Sequence, residues 1–112
     1  NYWPASQVAT DAVAYIVDDP NVLFKIAITS SGVVISSLAI TDIGANLQIT
    51  QTAGDTINGV SRVSADDTSA ATNTFPVRVV SLVEETRNTS GGYTEAICKW
   101  NDGHQYGNTT GV

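Results

Sequence analysis

The chain has 112 residues, of which 42% are hydrophobic and only 14% charged, with a formal net charge of −6. That length is one domain's worth with a small core, and the acidic balance disfavours a phosphate-backbone partner. No run approaches the roughly 18 apolar residues of a membrane-spanning helix, and the single cysteine, Cys98, excludes an intramolecular disulfide.

Charged residues usually make up about a quarter of a chain. Here the polar surface must be built largely from Ser, Thr, Asn and Gln, a composition common in extracellular and virion proteins. Residues 1–10 (NYWPASQVAT) have no clear period and read as an extended arm, with residues 11–112 as a single β-domain. Tyr2 and Trp3 are too apolar to stay in water, so they are expected to pack on the body or on a neighbouring subunit. The opening lacks the charged-then-apolar run of a signal peptide. The chain contains no methionine, so a processed N-terminus or residues before Asn1 are expected.

Residues 12–17 (AVAYIV) and 22–28 (VLFKIAI) are apolar and rich in β-branched and aromatic side chains. Between them stands Asp18-Asp19-Pro20-Asn21, a turn in which proline presets φ and Asp and Asn bond their own backbone. The residue before Pro20 is pushed out of the helical region, so the two runs read as one β-hairpin. In its second strand Val22, Phe24, Ile26 and Ile28 share a face, the expected core.

Residues 29–32 (TSSG) are a loop and 33–35 a short strand. Residues 41–46 (TDIGAN) read as a helical turn that Thr41 or Asp42 caps and Gly44 keeps short. Residues 47–51 (LQITQ) alternate as a strand, 53–59 carry the turn signals Gly54-Asp55 and Asn58-Gly59, and 60–65 (VSRVSA) form another strand. After the polar loop 66–74 comes a strong strand, 75–84 (FPVRVVSLVE), with Val77, Val79, Ser81 and Val83 on one face and Leu82 on the other. Residues 93–100 (YTEAICKW) are the last clear strand, with Thr94, Ala96, Cys98 and Trp100 on one face. The result is an all-β chain of about six to eight short strands, a small β-barrel or β-sandwich.

No constellation for catalysis emerges, and the chain reads as a non-enzyme. One histidine, His104, stands in a turn without a Gly-x-Ser-x-Gly elbow and reads as a surface residue. A hydrolase would need it in a pocket beside a serine or carboxylate. One His and one Cys cannot supply a zinc site. Asp18-Asp19 and Asp66-Asp67 lack EF-hand spacing, so no metal or other cofactor is expected. Gly91-Gly92 is a turn, since no Lys-Ser or Lys-Thr follows. Asn88-Thr89-Ser90 and Asn108-Thr109-Thr110 match the N-glycosylation pattern, which matters only in a secreted eukaryotic protein. Cys98 reads as a small core residue and Trp100 as core-lining. Tyr2, Trp3, Tyr93, Trp100 and Tyr106 are the aromatics available for a sugar platform or an oligomer contact.

Residues 11–24 (DAVAYIVDDPNVLF), 69–83 (SAATNTFPVRVVSLV) and 93–112 (YTEAICKWNDGHQYGNTTGV) together resemble a group of tailed-bacteriophage virion proteins, best known from marine and cyanobacterial phages. In that group a D-x-V-x-Y-v-x-D-D-P-n-x-x-F hairpin precedes a Ser/Ala/Thr-rich loop. A P-[VF]-R-[VI]-x-x-[LV] strand then leads to a final strand, a His-containing turn and a Thr-Gly-Val end. The likeness runs from about Asp11 to the C-terminus and rests on turns and strands; residues 29–64 add only Asp42-Ile43-Gly44-Ala45-Asn46. It implies a structural protein of the virion, a head decoration or cement protein seated on the lattice of the major capsid protein. It further implies a homotrimer with an extended arm, assembled in the host cytoplasm and located on the capsid surface, with no nucleic-acid or membrane partner. Tyr2, Trp3 and Pro4 are then the expected interface residues. The alternative is a carbohydrate- or host-surface-binding β-module of a tail or fibre component.

Overall fold

The computed structural model describes residues 8, 10, 13–17, 19, 21–68, 71–84, 86, 94–101 and 110–111. Seven strands lie among them: β1 (Phe24–Ser30), β2 (Val34–Ile35), β3 (Asn46–Leu47), β4 (Ile49–Asp55), β5 (Val60–Asp66), β6 (Val77–Leu82) and β7 (Glu95–Trp100). The only regular helical piece among the described residues is a 3-10 turn, Ile40–Asp42. It starts one residue ahead of the expected 41–46 turn, with Ala39 and not Thr41 or Asp42 at its N-cap; Asp42 stands third in the turn and its carboxylate accepts the Ala39 N–H at 2.8 Å.

The strands form one sheet in the order β3-β6-β7-β1-β5-β4, with β2 paired to the end of β1. β3 and β4 stand at opposite ends of that order, yet only Gln48 separates them in the chain. The sheet therefore curls until residues 46–55 bridge its two ends, giving an all-β half-barrel. All pairings are antiparallel except β1 with β5, which is parallel at Ile28↔Ala65 and Thr29↔Asp66.

The core fills the concave side. Ile28, Leu47, Ala65, Val77, Val79, Ala96 and Cys98 are fully buried there, with Leu38 and Leu82 close behind and Phe24, Ile26 and Ile49 packed against them. Burial of a Val, Leu or Ile side chain contributes roughly 1.5–3 kcal/mol. The alternation expected for β1 and β7 holds: Phe24, Ile26 and Ile28 turn inward, as do Thr94, Ala96 and Cys98. In β6 the alternation breaks. The register moves from Val79↔Cys98 to Ser81↔Ile97, so Val80 is an extra residue, a bulge. Leu82, expected opposite to Val77 and Val79, is thereby turned into the same core.

The N-terminal hairpin does not form. Residues 13–17 belong to no strand and are exposed throughout. The turn survives locally: Val22 N–H donates to the Asp19 carbonyl at 3.2 Å and Asn21 N–H to Asp19 Oδ1 at 2.8 Å. But β1 pairs with β7, in the register Phe24↔Cys98 and Ile26↔Ala96, and then with β5 and β2. β7 brings fully buried Ala96 and Cys98 across from Phe24 and Ile26, and that core outweighs the short loop of a local hairpin.

Two buried asparagines fix the loop before β6. Asn46 Nδ2 donates to the Thr72 carbonyl at 2.9 Å, and Asn101 Nδ2 donates to the carbonyls of Asn73 and Phe75 at 3.0 Å each. The Asn101 backbone N–H donates to Pro76. These bonds bring an irregular segment to the point where β6 must start opposite Leu47.

Candidate interaction surface

Among the described residues, no group of three or more His, Cys, Asp or Glu side chains is placed to hold a metal ion. Cys98 is fully buried, and burial pushes its thiol up to about 12. Asp66 and Asp67, the one fully described carboxylate pair, are occupied with the backbone. Asp66 accepts the N–H groups of Thr68 and Ser31 at 3.0 Å each, which holds its carboxyl below the ordinary 3.8. Asp67 Oδ2 accepts the Ser36 hydroxyl at 2.6 Å, and its N–H donates to Thr29. Thr29 Oγ1 and Ser64 Oγ share a further bond of 2.6 Å. This polar knot ties the end of β5 to the β1–β2 turn. Asp55 plays the same part at the β4–β5 turn, where the N–H groups of Ile57 and Asn58 hold its carboxyl below the ordinary range.

What the surface does offer is apolar. In residues 13–17 Tyr15 is 97% exposed, with Val13, Ile16 and Val17 hardly less so. No hydrogen bond joins this segment to any described residue. Both residues of β2, Val34 and Ile35, are exposed with their neighbour Val33, because β2 covers β1 along one edge only. The β4–β5 hairpin runs past the core as a two-stranded ribbon. Its tip carries Ile57, 92% exposed, with Val60 and Val63 behind it.

The end of β4 is equally open. Gln48 accepts the N–H of Asp66 at 2.9 Å, and antiparallel alternation then sets Thr50 and Thr52 toward β5. Ile49 and Gln51 turn their N–H and C=O groups to the other side. β6 begins at Val77, opposite Leu47, so among the described residues no strand runs beside β4 beyond that point. Residues 49–53 (ITQTA) carry neither charge nor proline.

Of the residues singled out in the sequence, Tyr2, Trp3 and Pro4 lie outside the described residues, as do Tyr93, His104 and Tyr106. Trp100 is at the rim of the core and not within it: it is 36% exposed, with its ring 4.9 Å from that of Phe24 and tilted by 41°. Cys98 is the core residue expected. Sequence reasoning missed the exposure of residues 13–17, whose apolar alternation signals a strand but says nothing of its partner. Comparisons with family models, with curated proteins and with solved structures found no match to the chain.

Proposed function

We propose that the protein is a structural component of a bacteriophage virion, a decoration or cement protein that binds the lattice of the major capsid protein and is not an enzyme. The observation that carries this reading is the exposure of the apolar residues 13–17 and of Val33, Val34 and Ile35 on a chain only 14% charged. Large apolar side chains exposed in runs of this kind suit a contact with another macromolecule. The resemblance of residues 11–24, 69–83 and 93–112 to phage virion proteins supports the same reading, and with it a homotrimer at the capsid surface.

A cement protein binds the assembled shell and not the dispersed subunits, so it stabilises the shell by mass action. A rigid half-barrel with apolar segments outside its core suits that task, since the body need not reorganise to bind. The test is cosedimentation with empty shells assembled from the major capsid protein of the same genome. Saturable binding and a raised shell disassembly temperature are expected. Failure to bind shells at saturating protein overturns the reading.

A further inference from the structure

We propose that residues 13–17 of one copy add as a strand to the open edge of β4 in a second copy, along residues 49–53. Each half of this contact is visible in the single chain. The donor is five residues of strand-forming type (VAYIV), exposed on both faces and without a hydrogen bond to any described residue. The acceptor is five residues of a strand at the end of the sheet, with the N–H and C=O groups of Ile49 and Gln51 directed away from β5. At about 3.3 Å per residue the two segments match in length.

The edge is unguarded from Ile49 to Thr52. Natural edge strands are blunted by lysine, proline, brevity or a bulge. In β4 the register is regular from Ile49 to Thr52 and shifts only between Thr52 and Asp55, and no charged or proline residue stands before Asp55. β3, at the other end of the sheet, is only two residues long. Two copies of a chain with net charge −6 repel each other; residues 13–17 and 49–53 are themselves uncharged, while Asp11 and Asp18-Asp19 flank the donor and Asp55 follows the acceptor, so the pairing must come from the main chain and the apolar side chains. The donor is a second copy because the chain's own segment, exposed as it is, does not lie on its own edge. Main-chain pairing then supplies affinity, and the alternate side chains of the donor supply specificity.

The inference deepens the self-association part of the proposed function and does not depend on the capsid. A chain that self-associates but ignores shells sinks only the virion reading; a monomer that binds shells sinks only this one. Hydrogen exchange of the unmodified chain is the direct test. The amides of Ile49 and Gln51 are expected to exchange fast when dilute and to become protected as concentration rises, while Thr50 and Thr52 are protected throughout. Light scattering on two variants tests the partners. Gln51→Pro removes an outward N–H at an edge position where proline is tolerated, and a Tyr15→Pro/Ile16→Pro double variant breaks the donor. Each alone is expected to be monomeric with an unchanged circular dichroism spectrum, and an equimolar mixture to recover a dimeric mass. Gln51→Lys replaces Gln51→Pro if the latter misfolds. Wild-type protein that stays monomeric with unprotected edge amides, variants that associate as the wild type does, or a mixture that stays monomeric overturns the proposal.

Discussion

Cys98 shows how completely one small side chain is defined by its surroundings. It sits in β7 across from both Phe24 and Val79, fully buried, with its thiol pushed up to about 12 by loss of water. The thiolate is the reactive form, so the native protein is expected to resist a thiol-specific disulfide reagent at neutral pH and to react stoichiometrically once unfolded in denaturant. Rapid reaction of the native chain would contradict this burial. Asp66 gives a pH signature. Its carboxyl is held below 3.8, first by the Thr68 backbone N–H and side chain; burial opposes them, and the Ser31 N–H adds a smaller lowering. A depressed folded-state pKa adds stability above the unfolded value and loses it as the pH falls through the folded one. Asp66→Ala is therefore expected to be less stable than the wild type at neutral pH. The gap should close as the pH is taken well below 3.8, which urea unfolding across that range would measure. By contrast the Lys25–Glu95 ion pair, 3.0 Å long but with the lysine side chain 58% exposed, contributes under about 1 kcal/mol.

The turn between β1 and β2 is the element most sensitive to a single change. Val33 N–H donates to Ser30, and both central residues have positive φ, 52° at Ser31 and 73° at Gly32, the signs of a type I′ turn. A Cβ on Gly32 would stand 2.5 Å from Thr50 Cγ2 and 3.0 Å from Thr52 Cγ2. Gly32→Ala combines a strained backbone with that clash and is expected to cost roughly 1–3 kcal/mol, read as a lowered unfolding midpoint. At this scale much was legible in the sequence. Turn chemistry and period-two alternation mark β1, β5, β6 and β7 to within two residues of their ends. The bulge at Val80 was not legible, because the residue pattern of 75–84 reads as one regular alternation and the extra residue shows only in the register with β7 and in the burial of Leu82. The missing hairpin has the same origin. Residues 12–17 carry every local mark of a strand, but the partner of β1 is chosen by buried area across the sheet, and that choice lies with residues near position 98.

For the whole molecule, composition and patterning settle that the chain is all-β, and the structure adds the curl. The curl depends on Gln48, where one continuous segment changes partner from β6 to β5. Nothing in LQITQ announces that change, since the residues on either side alternate as one strand. The candidate surface was half legible. The apolar content of residues 13–17 is plain in the sequence, but their exposure is a property of the assembled sheet. The buried clamps Asn46 and Asn101 were not legible at all: asparagine in a sequence signals a turn, and only the fold shows two of them holding carbonyls of residues 72–75.

The pairing of β1 with β7 also sets a timetable for biosynthesis. The inner face of β1, with Phe24, Ile26 and Ile28, has its antiparallel neighbour at residues 95–98, in the last strand among the described residues. At 5–20 residues per second, a ribosome takes on the order of 4–14 s to travel from the end of β1 to the end of β7. During that interval the emerging chain carries its central strand without its main partner. The nascent polypeptide thus waits for residues 95–100 before β1 gains that neighbour, and ribosome-associated chaperones have those seconds in which to hold it.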